Sequence, residues 1–139
     1  MKHVLVPVDD SGPAKAAMKH ACETYPDATL TVLYASDPDG SALFTEVTSG
    51  HSPSEDRYQE RAEAIFAEAR AIAESYDRTV ETELVLGEPA RAIVEFVEES
   101  DVDHVVIGSH GRTGMSRVLL GSVAEQVARR SPVSVTIVR

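Results

Sequence analysis

Lys2-His3-Val4-Leu5-Val6-Pro7-Val8 is a nearly continuous apolar run, the pattern of a strand buried on both faces of a parallel sheet. Similar runs recur at Leu30 to Tyr34, Val80 to Leu86, His104 to Ile107 and Val133 to Val138. Between the first two, Ala14, Ala17, Met18, Ala21, Cys22 and Tyr25 fall at helical spacing, behind Ser11 as a cap and Pro13 in the first turn. A second helical pattern runs through Tyr58, Ala62, Ile65, Phe66, Ala69, Ile72, Ala73 and Tyr76, with charged residues on its other faces. Ala90, Ile93, Val94 and Val97 mark a third helix opened by Pro89. Leu120, Val123, Ala124, Val127 and Ala128 mark a fourth, closed before Pro132. Strand and helix thus alternate four times before a fifth strand ends the series. Each parallel crossover needs a helix, so the pattern predicts an α/β fold: an open, parallel, five-stranded sheet with helices on both faces. The stretch from Asp37 to Ser54 is the one long loop and a candidate lid.

At 139 residues and 15.0 kDa the chain is expected to form one domain over residues 1–139. Its 42% hydrophobic and 26% charged content suits a compact core and argues against wholesale disorder. No run approaches the roughly 18 apolar residues of a membrane span, and the first apolar stretch is too short for a signal peptide, so a cytoplasmic location is expected. Cys22 is the single cysteine, which excludes an intrachain disulfide or a cysteine cage for a metal. The net charge of −10 argues against nucleic acid or an anionic membrane as partner. Lys2, Lys15 and Lys19 are the only lysines, and an acidic, lysine-poor surface suits a salt-rich, halophilic cytoplasm.

In open parallel sheets ligands bind beyond the carboxyl ends of the strands, where the strand order reverses. The first strand leaves through Asp9-Asp10, and the fourth through Gly108-Ser109-His110-Gly111-Arg112-Thr113-Gly114-Met115-Ser116-Arg117-Val118-Leu119-Leu120-Gly121-Ser122. That second stretch holds Arg112 and Arg117 and no carboxylate, so it is locally cationic in an acidic chain. Its glycines let a backbone approach a ligand, and Gly121-Ser122 falls at the start of the fourth helix, whose free N–H groups favour a phosphate. Ser122 with Glu125 also reads as a capping box. A helix dipole supplies only about 0.3 to 1 kcal/mol, against about 8 kcal/mol for a micromolar ligand. Backbone N–H bonds, burial of a base and a divalent cation between phosphates would have to supply the rest.

No Gly-x4-Gly-Lys-[Ser/Thr] loop occurs, and Asp9-Asp10-Ser11-Gly12 lacks the Gly-x-Gly-x-x-Gly of dinucleotide-binding domains. What remains is Gly108-x2-Gly111-x9-Gly121-Ser122, with Pro7-Val8-Asp9 ending the first strand. In these residues the chain resembles the universal stress protein family, in its ATP-binding branch. The resemblance implies a Rossmann-like sheet of order 3-2-1-4-5, related to that of adenine nucleotide alpha hydrolases. It implies an ATP site carried by Pro7, Val8, Asp9, Ala35, Gly108, His110, Gly111, Gly121, Ser122 and Val123, to which the local positive charge adds Arg112, not a fixed position of the family, as a phosphate-steering group. Asp9 would lie by the ribose or adenine, Ala35 would touch adenine through its backbone, and Gly121, Ser122 and Val123 would hold phosphate. Mg²⁺ or Mn²⁺ would be held by the ATP phosphates and not by a dedicated protein site. A homodimer through the fifth strand, Val133 to Val138, is also implied.

The expected function is a nucleotide-responsive stress module that acts on a protein partner the sequence does not name. No catalytic residue is assigned. No lysine lies in the glycine-rich stretch, and Asp9 and His110 are the only nearby acid or base, so hydrolysis would be slow at most. Two alternatives differ in class: a dimeric interaction module that binds no nucleotide, and a phosphoacceptor receiver domain using Asp9-Asp10. Against the receiver, the third strand leaves through Leu86-Gly87-Glu88, with no aspartate to accept phosphate. If the acidic surface is adapted to salt, the unfolding midpoint rises with KCl concentration. A midpoint that stays constant from low to molar KCl refutes that adaptation.

Overall fold

The computed structural model describes residues 2–9, 11–36, 55–110 and 120–139. Among them lie five strands, β1 (His3–Pro7), β2 (Thr29–Ser36), β3 (Glu81–Leu86), β4 (His104–Gly108) and β5 (Ser134–Val138). They alternate with helices α1 (Gly12–Thr24), α2 (Glu55–Glu74), α3 (Pro89–Glu99) and α4 (Ser122–Arg130). The strands form one parallel sheet of order β3-β2-β1-β4-β5. β1 is therefore central, with Leu5 opposite Thr31 on one side and Val105 on the other.

The continuity of the first apolar run follows from this placement, because a central strand of a two-layered sheet is buried on both faces. Val4 and Val6 pack with Met18, Phe66 and Val106 in the core under α1 and α2. Leu5 packs with Ile93, Val97, Val105 and Val127 in the core under α3 and α4.

Helix starts follow local chemistry. The Ser11 hydroxyl accepts the Ala14 N–H at 3.2 Å, ahead of Pro13 in the first turn of α1. Glu88 caps α3 with both carboxylate oxygens, taking the N–H groups of Ala90 and Arg91 at 3.1 Å each, and Pro89 opens the helix. Beyond α2, Asp77 adopts a left-handed conformation (φ 57°), donating its N–H to Glu74 while Arg78 donates its own to Ala73, each at 2.9 Å. This is the paired bonding of a Schellman turn. It aims the Arg78 side chain at the carboxyl end of α1. There the guanidinium donates to the carbonyls of Cys22 (3.3 Å), Tyr25 (3.1 Å) and Ala28 (2.5 Å). Carbonyls that the helix cannot satisfy itself thus receive a cation on the side its dipole favours.

Several expected boundaries move. β2 runs from Thr29 to Ser36 and β4 includes Gly108, both longer than their apolar runs, because parallel pairing continues into polar and glycine positions. Lys2, Val8, Val80 and Val133 lie just outside their strands, although the Val8 N–H still bonds the Leu33 carbonyl at 2.8 Å. Tyr76 lies past α2 and donates its hydroxyl to Glu23 at 2.5 Å. Leu120 is not part of the buried stripe of the fourth helix: it precedes α4, is 36% exposed, and is cut off from the helical phase by extended Gly121. Ala128 is exposed at the margin of a stripe made by Ala124 and Val127. The candidate lid, Asp37 to Ser54, lies outside the described residues, as does Asp10.

Arg78→Ala removes three charge-assisted bonds at once and is expected to lower the unfolding free energy by about 2 kcal/mol. Arg78→Lys, which lacks the planar fork, should recover less than half of that loss in urea titrations. A loss under about 0.5 kcal/mol in Arg78→Ala would show that the carbonyls are equally well served by water.

Candidate functional site

The chain passes from β1 to β2 on one side and from β4 to β5 on the other, so the order reverses between β1 and β4. Beyond the carboxyl ends of these strands lies a cavity of about 280 Å³. This is the switch-point crevice in which open α/β sheets take ligands.

The structure brings Pro7, Val8, Asp9, Ala35, Gly108, His110, Gly121, Ser122 and Val123 to the wall of this one cavity. Gly111 and Arg112 lie outside the described residues, as does Arg117. Leu33, Pro89, Ile93, Ile107 and Ala124 also line the cavity and were not singled out by the sequence. They read as ordinary core positions, and only their place at strand ends and in the first turns of crossover helices marks them. Ser11 and Ala14 complete the α1 side.

Polarity is unevenly distributed. Asp9, Ser11, His110 and Ser122 are the polar side chains among the described lining residues, whereas β2 and α3 contribute Leu33, Ala35, Pro89 and Ile93. One Asp9 oxygen accepts the Ser11 N–H at 2.9 Å, which ties the β1–α1 turn and fixes the direction of the carboxylate. His110 Nδ1 lies 3.1 Å from the Ser109 hydroxyl, so the ring is held at one nitrogen.

First turns of three described helices reach the cavity, and their termini differ. α1 is closed by Ser11 and α3 by Glu88, but the N-cap of α4 is Gly121, which has no side chain to cap it. The capping box expected from Ser122 and Glu125 is absent: Ser122 is the first helical residue, one position too late to cap. Gly121 spends its own N–H on the Ser109 carbonyl at 2.7 Å, leaving the N–H groups that follow it without acceptors in the helix. The amino terminus of α4 and Ser122 therefore lie on the wall of a cavity whose β2 and α3 side is apolar. Such a crevice accommodates a ligand with an anionic end and a flat apolar end.

Across residues 1–139 the sequence matches the model of the universal stress protein family. The chain belongs to that family. A universal stress protein of Methanocaldococcus jannaschii is 34% identical over 140 residues, covering 99% of this chain and 82% of the relative. Among solved structures, universal stress protein UspA from Lactobacillus plantarum superposes with a TM-score of 0.81 at 26% identity, covering 99% of this chain and 97% of its own. A universal stress protein in complex with cAMP superposes at 0.76 with 29% identity, covering 99% and 97%.

In this universal stress protein two motif glycines have packing reasons of their own. A Cβ on Gly108 would lie 2.7 Å from the Pro13 carbonyl carbon and 2.9 Å from its oxygen, so β4 can meet the first turn of α1 only without a side chain. A Cβ on Gly121 would lie 2.8 Å from His110 Cα. Gly12, by contrast, has nothing within 4 Å of an added Cβ. Gly108→Ala is expected to lose about 1–3 kcal/mol of stability, whereas Gly12→Ala stays within about 0.5 kcal/mol, by urea unfolding. Equal effects in the two variants would refute the contact with Pro13.

Proposed function

We propose that this chain binds ATP, with Mg²⁺ or Mn²⁺ between its phosphates, and acts as a nucleotide-responsive regulatory module. The observation that carries the reading is the uncapped start of α4, which lies at the switch point beside two capped helices. In this reading the phosphates lie against the N–H groups of Ser122 and Val123 and the Ser122 hydroxyl. The base lies against Leu33, Ala35, Pro89 and Ile93, and Asp9 beside the ribose. A relative of 29% identity solved in complex with cAMP supports an adenine nucleotide as the class of ligand.

No group of three or more His, Cys, Asp and Glu side chains among the described residues could cage a metal. In this reading a divalent cation arrives with the phosphates and neutralises their charge beside an acidic protein. Asp9 and His110 are the acid and base nearest to hand, without a lysine or arginine clamp among the described lining residues, so turnover is slow in this reading. Among the described residues no helix is long and apolar enough to cross a membrane.

Among the described residues edge strand β5 pairs with β4 alone, and the proposal extends to a homodimer formed by its pairing with a second copy. A purely dimeric module without nucleotide is the competing reading. A receiver domain is not, since the order observed differs from the 2-1-3-4-5 order of receiver-type folds and Glu88 is occupied as a helix cap.

Calorimetric titration of nucleotide-stripped protein with Mg-ATP is expected to give near one ATP per chain at micromolar affinity. Ser122→Ala should weaken binding about tenfold, the worth of one hydroxyl bond to a charged phosphate, while leaving the melting temperature unchanged. No heat at millimolar ATP from folded protein would overturn the reading and leave the dimeric module.

A further inference from the structure

His104 opens β4 at the end of the sheet opposite the cavity and is 6% exposed. Its Nε2 lies 2.7 Å from the Thr136 hydroxyl of β5, and its ring is 5.3 Å from that of Tyr25 at the carboxyl end of α1. Its Nδ1 is buried with no hydrogen-bond partner. Among the described residues β5 is an edge strand held through its backbone by β4 and by the Ser109 N–H, which donates to the Val138 carbonyl at 2.7 Å, and the bond from His104 to Thr136 adds a side-chain tie between that edge and the core.

The chemistry of this tie depends on protonation. A neutral imidazole carries one N–H and can serve Thr136 with Nε2 while Nδ1 remains a bare lone pair among apolar neighbours. A protonated ring carries N–H on both nitrogens, and the one on Nδ1 has no acceptor. No group among the described residues accepts from that second N–H. On α1, His20 disfavours a second cation, Cys22 and Tyr25 are neutral, and the Arg78 guanidinium sits on the carbonyls of Cys22 and Tyr25. β1 presents Val4 opposite His104, and β5 presents Ser134 and Thr136. The adjacent Asp103 carboxylate accepts the N–H groups of Lys2 and His3 at one oxygen, Oδ2.

We propose that His104 is a pH-sensitive tie that seats edge strand β5 when neutral and releases it when protonated. Burial first, and then the like charge of His20, holds the folded-state pKa below the ordinary value of 6.5. As pH falls the unfolded chain takes up this proton before the folded one. The contribution is therefore complete above 6.5 and declines as pH drops below it. The consequence reaches whatever pairs with β5, because the strand that loosens is the one with a free edge.

The test follows the His104 ring by NMR in the wild-type chain and measures amide exchange and melting at about pH 7.5 and about pH 5.5, beside His104→Gln. The ring is expected to titrate below 6.5. The wild-type midpoint should fall by about 3 to 8 °C on acidification. The β5 amides bonded to β4 should exchange about tenfold faster, with smaller change in β1 and β2. His104→Gln keeps a partner for Thr136 but does not titrate, and it should lose less than half as much. The other histidines are present in both proteins and cancel in the comparison. A ring that titrates at or above 6.5, or equal acid losses in both proteins, overturns the proposal. Should the variant not fold, wild-type exchange decides: acceleration centred on β5 supports the tie, and uniform acceleration across the sheet refutes it.

Discussion

Two backbone segments approach one another at the carboxyl end of β4 more closely than side chains permit, and much of the architecture around the cavity depends on that approach. Gly108 lies against the main chain of Pro13, which sets the first turn of α1 directly over the end of β4. Gly121 lies against His110 and bonds Ser109, which returns the chain to the place it left and aims the start of α4 at the strand ends. Move either contact by the width of a methyl group and the walls of the cavity separate. The glycines of the motif are therefore explained in part by packing, before any ligand is considered. A position can serve close packing and close approach of a ligand together, because both require the same missing Cβ.

The helix termini at this crevice illustrate how a site can be defined by what is withheld. Ser11 and Glu88 satisfy their helices with side chains, and Pro13 and Pro89 remove further donors from the first turns. α4 has neither provision, and its acidic residue, Glu125, lies in the first turn with its carboxylate 2.9 Å from Arg129. Unsatisfied N–H groups beside an apolar wall are costly to leave bare and favourable to cover with an anion. The polar end and the apolar end of the cavity thus follow from capping on one side and strand burial on the other.

Far from the cavity, polar side chains work as fasteners. Arg78 joins the end of α2 to the end of α1, Asp103 holds the N–H groups that lead into β1, and His104 reaches across to β5. Arg78 connects elements that helix and sheet ladders leave separate, while Asp103 and His104 add side-chain bonds between strands that the sheet already pairs.

Periodicity in the sequence was enough to reveal the alternation of strands and helices, since a strand buried on both faces must be apolar throughout and a covering helix must be apolar on one stripe. The spacing of Gly108, Gly111, Gly121 and Ser122 carried the resemblance to the family that the whole-chain match then established. Tertiary structure alone decided that Ser122 begins a helix instead of capping it, that Leu120 faces out, and that Leu33, Pro89, Ile93 and Ile107 are cavity wall as well as core. Local pattern records which residues must avoid water. It does not record which of them end beside a gap, because that depends on where strands distant in sequence terminate against one another.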